Sequence, residues 1–345
     1  MLEAMSGDIA TMKAAVYRRP GELEVVDVER PSADGRALVA VEYCGICGTD
    51  LHMVLDGWGT PGSVFGHEWS GRIVQPGATG LAAGTLVVGL PSPTCGECVT
   101  CRAGRPSLCR ARPEAGTMAD RGAFAELVAV GADRLIAVPA GIDARAAAYT
   151  EPLAVAMHAI SLSAVGDGQT ALVMGAGPIG AALIALLAAR GIETTAVEPG
   201  AARAALAERL GARPRAADDL EITGHPGEPA RDAVDVVFET SGARVAVETG
   251  LTQLVPGGTL VLVGTGLDHP KLDANRVILN ELRITGAFNY DERGFDAALD
   301  VIGSGSLPMH ELIADETVPL DDVLPAMRRL RAGEIPGKAM VRPNG

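Results

Sequence analysis

The sequence has too little positive charge for a protein built to hold nucleic acid. Against 43 Asp and Glu stand 29 Lys and Arg, leaving a formal net charge of −14. That excess argues against a phosphate backbone or an anionic membrane surface as the main partner. An unbroken apolar run of membrane length is also missing. The long uncharged stretch from Gly168 to Ala189 is interrupted by Gly175, Gly177, Pro178 and Gly180, which suits a strand, a turn and a helix better than a span. Met1 to Ala10 offers neither a basic start nor an apolar core, so no secretory signal is read there and a cytoplasmic location is expected. No cysteine follows Cys109. What remains is a globular chain: 345 residues, 48% hydrophobic and 21% charged, with room for about two domains.

All six cysteines fall between Cys44 and Cys109. Disulfide staples would be spread more widely, and a chain this long does not need them. Four cysteines read Cys95-Gly-Glu-Cys98-Val-Thr-Cys101 and then, after seven more residues, Cys109. Such spacings let four thiolates converge on one tetrahedral ion, and a closed set of soft thiolates suits structural zinc. Paired disulfides and an iron–sulfur cluster are the competing readings. The surroundings, with Pro91, Pro93, Gly96, Gly104 and Pro106, suit a metal-held lobe at about 91–112.

The other pair lies in Cys44-Gly-Ile-Cys47-Gly-Thr49-Asp50-Leu-His52, followed by Gly66-His67-Glu68. Taken alone, Cys44-x-x-Cys47 could be a redox dithiol or half of a second zinc site. A mixed site of one Cys, His67 and a carboxylate would leave a coordination position open, as catalytic zinc requires.

Patterns divide the chain. From Lys13 to about Val138, short β-rich runs such as Leu38–Val41 and Thr85–Val88 alternate with Gly/Pro turns and predict a compact β domain. From about Ala144, alanine-rich helical runs alternate with apolar strands: strand 171–174, helix 179–190, strand 194–197, helix 201–210, strands 234–238 and 259–263. That alternation predicts a doubly wound parallel sheet. A third strand is expected within the Pro-, Gly- and charge-rich stretch from Pro214 to Asp232. Gly175-Ala-Gly177-Pro178-Ile179-Gly180 is a G-x-G-x-x-G turn between strand and helix, where backbone approaches a pyrophosphate at a helix N-terminus. Glu198 ends the next strand, 18 positions past Gly180, and can accept both adenosine ribose hydroxyls. Arg203 opposes that reading, because a guanidinium can accept a 2′-phosphate.

The segments around Cys47, His67, Cys95 to Cys109, Glu151 and Gly175 to Gly180 resemble the zinc-containing medium-chain alcohol and polyol dehydrogenases. Motifs in that family's order run from Met12-Lys13-Ala14-Ala15-Val16 to Gly337-Lys338-Ala339-Met340-Val341, leaving about eleven residues as an extension. The resemblance implies a GroES-like β catalytic domain with a structural zinc lobe plus a Rossmann sheet. The expected bounds are 1–152 for the catalytic domain, 153–287 for the cofactor domain, and 288–345 for a return to the first, with helices near 295–302 and 320–331.

The resemblance also assigns roles. Cys47, not Cys44, is the thiolate ligand of catalytic zinc and His67 the imidazole ligand, while Asp50 orients that histidine. Thr49 contacts the substrate oxygen and His52 passes the proton to solvent. The liver and yeast type of alcohol dehydrogenase supplies a second cysteine as third ligand. This chain instead has Glu151, in Thr150-Glu151-Pro152-Leu153, similar to the sorbitol, threonine and glucose dehydrogenases. Glu68 and Glu151 compete for that position, and His158 is read as a buried histidine rather than a ligand. The expected cofactors are two zinc ions per chain and NAD in preference to NADP, since a basic residue near Arg203 is common among the family's NAD users. Gly175, Gly177, Pro178, Ile179, Gly180, Glu198, Arg203, Val263, Gly264 and Thr265 are expected to hold the dinucleotide. The implied reaction is hydride transfer between NAD(H) and a secondary alcohol, polyol or sugar carbon. A bulkier secondary-metabolite alcohol or amino-cyclitol as substrate, and a noncatalytic nucleotide-binding relative, are the alternatives. The expected partners are a small-molecule substrate and further copies of the chain, as a homodimer or homotetramer.

Overall fold

A computed structural model describes residues 11–91, 94–111 and 122–345. Of the expected extension, residues 1–10 lie outside the described residues, and Thr11 already pairs with Glu29. Residues 92, 93 and 112 of the expected zinc lobe lie outside them as well.

The first described element is an antiparallel hairpin, β1 (Thr11–Arg19) and β2 (Glu22–Glu29). β3 (Ala37–Gly45) then delivers α1 (Gly48–Leu55), whose buried Met53 and Val54 face inward. β4 (Glu68–Gln75) pairs antiparallel with β3, and β5 (Leu86–Gly89) pairs antiparallel with β4. The cysteine lobe, with the single turn α2 (Val99–Arg102), is followed by β6 (Leu127–Val130) and β7 (Leu135–Ala137). Alternation is visible along β3, where Ala37, Val39 and Val41 are buried and the residues between them half-buried.

After α3 (Ala144–Ala147) and α4 (Thr150–Ser163) the period changes from two to that of strand and helix. β8 (Thr170–Met174), α5 (Pro178–Ala189), β9 (Glu193–Val197), α6 (Ala201–Arg209) and β10 (Arg213–Arg215) form the first half of a second sheet. β11 (Val234–Glu239), α7 (Arg244–Thr252), β12 (Leu254–Leu262), α8 (Ala274–Leu279) and β13 (Arg283–Gly286) form the other half. All its pairings are parallel, in the order β10-β9-β8-β11-β12-β13. That is the Rossmann order, which reverses direction beside β8 and opens a crevice at the strand ends. α5 is buried from Gly180 to Leu187. A helix that is apolar all round belongs inside a core, and this one forms the second half of the long uncharged stretch from Gly168 to Ala189.

The expected third strand is only three residues long and starts at Arg213, just ahead of the anticipated stretch. The residues after it are held by polar clamps. Buried Arg276 donates to the carbonyls of Thr223, His225 and Glu228, and the Asn280 amide to that of Pro226.

α9 (Gly294–Ser304), α10 (Met309–Leu312), β14 (Ile313–Pro319), α11 (Val323–Arg331) and β15 (Lys338–Arg342) follow. β15 pairs antiparallel with β3, giving a seven-stranded sheet in the order β14-β15-β3-β4-β5-β7 with β6 beside β3. α11 buries Val323, Ala326, Met327 and Leu330 at helical spacing and leaves Arg328 and Arg331 toward its polar side. Among the described residues no helix is long and apolar enough to cross a membrane.

Candidate active site and metal centres

A cleft of about 470 Å³ runs from the start of α1 to the carboxyl ends of β8, β9 and β11. Its walls bring Cys47 and His52 together with Gly175, Gly177, Pro178, Glu198 and Arg203, with Arg331 of α11 closing one side. Residues separated by more than a hundred positions thus share one cavity.

Cys47 is the N-cap residue of α1. Asp50, the acidic residue of that first turn, takes the Cys47 N–H on Oδ2 at 2.9 Å. Its Oδ1 accepts Gly66 N–H at 3.3 Å and lies 3.5 Å from His67 Nδ1. One buried carboxylate therefore fixes two candidate ligands at once. Burial alone would push the His67 imidazolium down, but the charges of Asp50 and Cys47 outweigh it and hold it well above its ordinary value. A cation in that place would displace the proton.

Ligand atoms of Cys47, His67 and Glu68 lie within 4.8 Å of one another. Glu68 Oε1 accepts from Lys338 Nζ at 2.6 Å, whereas its buried Oε2 has no hydrogen-bond partner. Gly45 makes room for that oxygen, since a Cβ there would stand 2.2 Å from Oε2. Glu151, in the first turn of α4, is buried but stands outside this three-residue set. Burial pushes its carboxyl up to about 7, opposed by His67 and reinforced by Glu68. Thiol, imidazole and an unsatisfied buried carboxylate oxygen fit a zinc ion. Thr49 is exposed on the first turn of α1 and is not part of the cleft wall. Cys44 is buried, and burial pushes its thiol well up. His158 is buried, with Nδ1 at 2.8 Å from Asp291 Oδ1.

The second cluster is complete. Cys95, Cys98, Cys101 and Cys109 place their sulfurs within 4.8 Å of one another, and all six cysteines are free of disulfides. Backbone N–H groups of Cys95 and Cys98 donate to the sulfurs of Cys109 and Cys95, both at 3.3 Å. The Thr100 hydroxyl and backbone N–H groups of Arg110 and Cys101 bring Cys98 down to about 5, while burial and the adjoining thiols push Cys101 up to about 12. Shared protons of this kind are what one dication replaces.

On the cofactor side each glycine has its own reason. Gly175 has φ +97°. A Cβ on Gly180 would stand 2.0 Å from the Gly175 carbonyl oxygen, so the helix meets the strand only without one. Gly177 faces open space and caps α5, whose first residue is Pro178, with half-buried Ile179 behind it. Glu198 accepts Ala176 N–H and Gly200 N–H, both at 2.8 Å, and still faces the cleft. Arg203 donates through Nη2 to the Leu330 carbonyl at 2.5 Å. Val263 and Gly264 both donate to the Glu239 carbonyl just past β12, and neither is part of the cleft wall. Exposed Thr265 meets His52, its carbonyl oxygen 3.2 Å from Nε2.

Sequence reasoning gave no role to Lys338, Asp56 or Arg331. A lysine heading the apolar strand Ala339-Met340-Val341 was the available sign for the first. The other two come together only in the fold, where Arg331 Nη1 and Nη2 meet the Asp56 oxygens at 2.6 and 2.8 Å.

Comparison with known proteins agrees with this geometry. Residues 33–140 match the alcohol dehydrogenase GroES-like domain, and residues 178–304 match the zinc-binding dehydrogenase family. The chain is 33% identical over 317 residues to a 2-dehydro-3-deoxy-L-galactonate 5-dehydrogenase of Pseudoalteromonas atlantica, covering 90% of this chain and 92% of that one. Among solved structures, 2R,3R-butanediol dehydrogenase of Bacillus subtilis superposes with a TM-score of 0.85 at 28% identity, over 96% of this chain and 100% of that one. A zinc-binding dehydrogenase of Sinorhizobium meliloti 1021 bound to NADP gives 0.84 at 29% identity, over 97% and 100%. Both family matches and the sugar-acid dehydrogenase relative agree with a cleft that Cys47 shares with the Rossmann glycines and with a separate four-cysteine cluster: the chain belongs to the zinc-containing medium-chain alcohol and polyol dehydrogenases, oxidoreductases that move a hydride between a nicotinamide cofactor and a hydroxyl or carbonyl carbon.

Proposed function

We propose that the chain oxidises a secondary hydroxyl of a polyol, sugar or sugar acid with NAD, using Cys47, His67 and a carboxylate to hold catalytic zinc. The observation that carries this reading is the single cleft wall shared by Cys47, His52, Gly177 and Glu198. When bound, zinc supplies Lewis acidity for the substrate oxygen and NAD accepts the hydride. Asp50 orients both Cys47 and His67, His52 takes the proton, and Thr49, exposed on the first turn of α1, is read as the hydroxyl that meets the substrate oxygen. Glu68 and Glu151 contend for the third ligand position: Glu68 stands within reach, and Glu151 is the further buried acid whose charge bears on His67. A carboxylate ligand exchanges more readily than a thiolate, which suits substrates with adjacent hydroxyls.

NAD is the cofactor that Glu198 favours, and the bond from Arg203 to Leu330 supports this by engaging the guanidinium that could have bound a 2′-phosphate. The cysteine lobe is read as structural zinc. The domain bounds 1–152, 153–287 and 288–345 are supported by a parallel sheet that lies within 170–286. A homodimer or homotetramer is supported by β13, an edge strand near the exposed Ile278 and Leu279. Six free cysteines suit the reducing cytoplasm.

The test is turnover on a panel of polyols, sugar acids and aliphatic alcohols with NAD and NADP side by side, repeated for Glu68→Ala and Glu151→Ala with zinc content measured. Loss of zinc and turnover in Glu68→Ala alone would remove Glu151 from the ligand set. No turnover on any alcohol by fully metallated protein would overturn the reading.

A further inference from the structure

His52 is held from three sides. Asp56, the C-cap residue of α1, lies one helical turn beyond His52, so the two side chains share a face, and Asp56 Oδ2 stands 2.7 Å from His52 Nδ1. The Trp58 ring lies nearly flat on the imidazole, with centroids 4.7 Å apart and planes at 17°. On the far side, Nε2 is 3.2 Å from the Thr265 carbonyl oxygen.

Asp56 is itself clamped. Both its oxygens receive the Arg331 guanidinium in the bidentate geometry that makes such pairs strong. These bonds, opposed by burial and aided by His52, hold the Asp56 carboxyl down at about 2. An ionised carboxylate can only accept, so the nitrogen facing it must carry a hydrogen. Nε2 is then the ring atom left to gain or lose a proton. Once it gains one, the Thr265 carbonyl accepts the new N–H and both sides of the ring are satisfied.

We propose that Asp56, clamped by Arg331, is the positioning residue that commits His52 to the Nδ1–H tautomer and so makes Nε2 the proton acceptor of the dehydrogenation. This rests on the reading of His52 as the proton-transfer residue. Oxidation of the alcohol sends a hydride to NAD and one proton, from the hydroxyl, to Nε2; the ring then returns that proton to solvent. In the reverse direction the Nε2 proton goes to the carbonyl oxygen as hydride arrives at its carbon. Asp56 stays ionised throughout and transfers nothing.

The same Asp56–Arg331 pair also ties α1 to α11, and a double-mutant cycle separates the two roles. Turnover is measured for wild type, Asp56→Ala, His52→Ala and the double variant, with zinc content and NAD affinity followed in each. Asp56→Ala is expected to lower kcat by roughly 10- to 100-fold, the range for a group that orients a functional histidine, with KM nearly unchanged. In the His52→Ala background it should cost nothing further. Asp56→Asn keeps the volume but can donate to Nδ1 and favour the other tautomer, so it should lose as much as Asp56→Ala. It also serves if the alanine variant does not fold. Nitrogen-15 NMR of labelled histidine should show Nδ1 protonated in the neutral wild-type ring and a changed tautomer in Asp56→Asn. An equal loss in both backgrounds, or a normal kcat for Asp56→Asn beside an impaired His52→Ala, would overturn the proposal alone. A normal kcat for His52→Ala would remove the proton-transfer reading and the proposal with it.

Discussion

Lys338 Nζ lies 2.6 Å from Glu68 Oε1, and the two side chains are 1% and 0% exposed. The ammonium also donates to the Ile46 carbonyl at 3.2 Å, immediately before Cys47. Burial by itself would push Lys338 down, but the charges of Glu68 and Cys47 outweigh it and hold the ammonium above its ordinary value. A cation is thus built into the protein directly behind the candidate zinc ligands.

Removing one partner of a buried pair strands the other, at a cost of about 3–5 kcal/mol. Lys338→Met is therefore expected to lower stability by that order in chemical denaturation. Adding Glu68→Gln should recover a large part of the loss, because no uncompensated charge then remains buried. An unchanged denaturation midpoint for Lys338→Met would show that the pair contributes nothing.

Elemental analysis is expected to give two zinc ions per chain. Cys98→Ser should lose one of them and lower the unfolding temperature, since a closed thiolate set contributes folding energy. Cys47→Ser should lose the other and lower turnover by at least about 100-fold, with the four-cysteine site still filled.

Glu198→Ala should narrow the preference for NAD over NADP. Hydrogen bonds to a charged group are worth about 1.5–3 kcal/mol, so the ratio of kcat/KM values should fall by roughly tenfold or more. Arg203→Ala tests the counterpart. If wild type prefers NADP and that preference vanishes in Arg203→Ala, the guanidinium and not the carboxylate reads the ribose.

Asp56 predicts an acid-sensitive component of stability. Its folded value of about 2 lies below the ordinary 3.8, so unfolding takes up a proton as the pH falls. The contribution is complete above about pH 4 and disappears as the pH drops through about 2. Thermal unfolding of Asp56→Asn should accordingly differ most from wild type at neutral pH, and the two curves should converge toward pH 2.

The fold was legible wherever pattern and punctuation agreed. β8, α5 and β9 stand within a residue or two of where apolar runs, the glycine turn and Glu198 put them. The cysteine lobe was equally plain, because four thiols at short spacing have few other reasons to converge. β10 was hard to place because an edge strand of three residues, with Pro214 in the middle, carries no alternation to read. The stretch beyond it takes its shape from Arg276, a residue some fifty positions later. The candidate site divides in the same way. Cys47, Asp50 and His67 sit at a strand end and a helix start where local motifs reveal them, whereas Lys338, Asp56 and Arg331 act through partners distant in sequence or across helices. A guanidinium on the polar face of α11 looks like any solvated charge until its carboxylate is known.

Glu68 waits for Lys338 through 270 residues of further synthesis. At about 5–20 residues per second that interval is on the order of tens of seconds, during which the parallel sheet between them can be completed first. The nascent seven-stranded sheet meanwhile has an open side along β3 where β15 will pair. Cutting the chain before Lys338 should therefore leave the seven-stranded sheet without β15 and the edge of β3 open to chaperones and proteases. All six strands of the parallel sheet leave the ribosome before β15, so the seven-stranded sheet, begun first, is the last to receive its full set of strands.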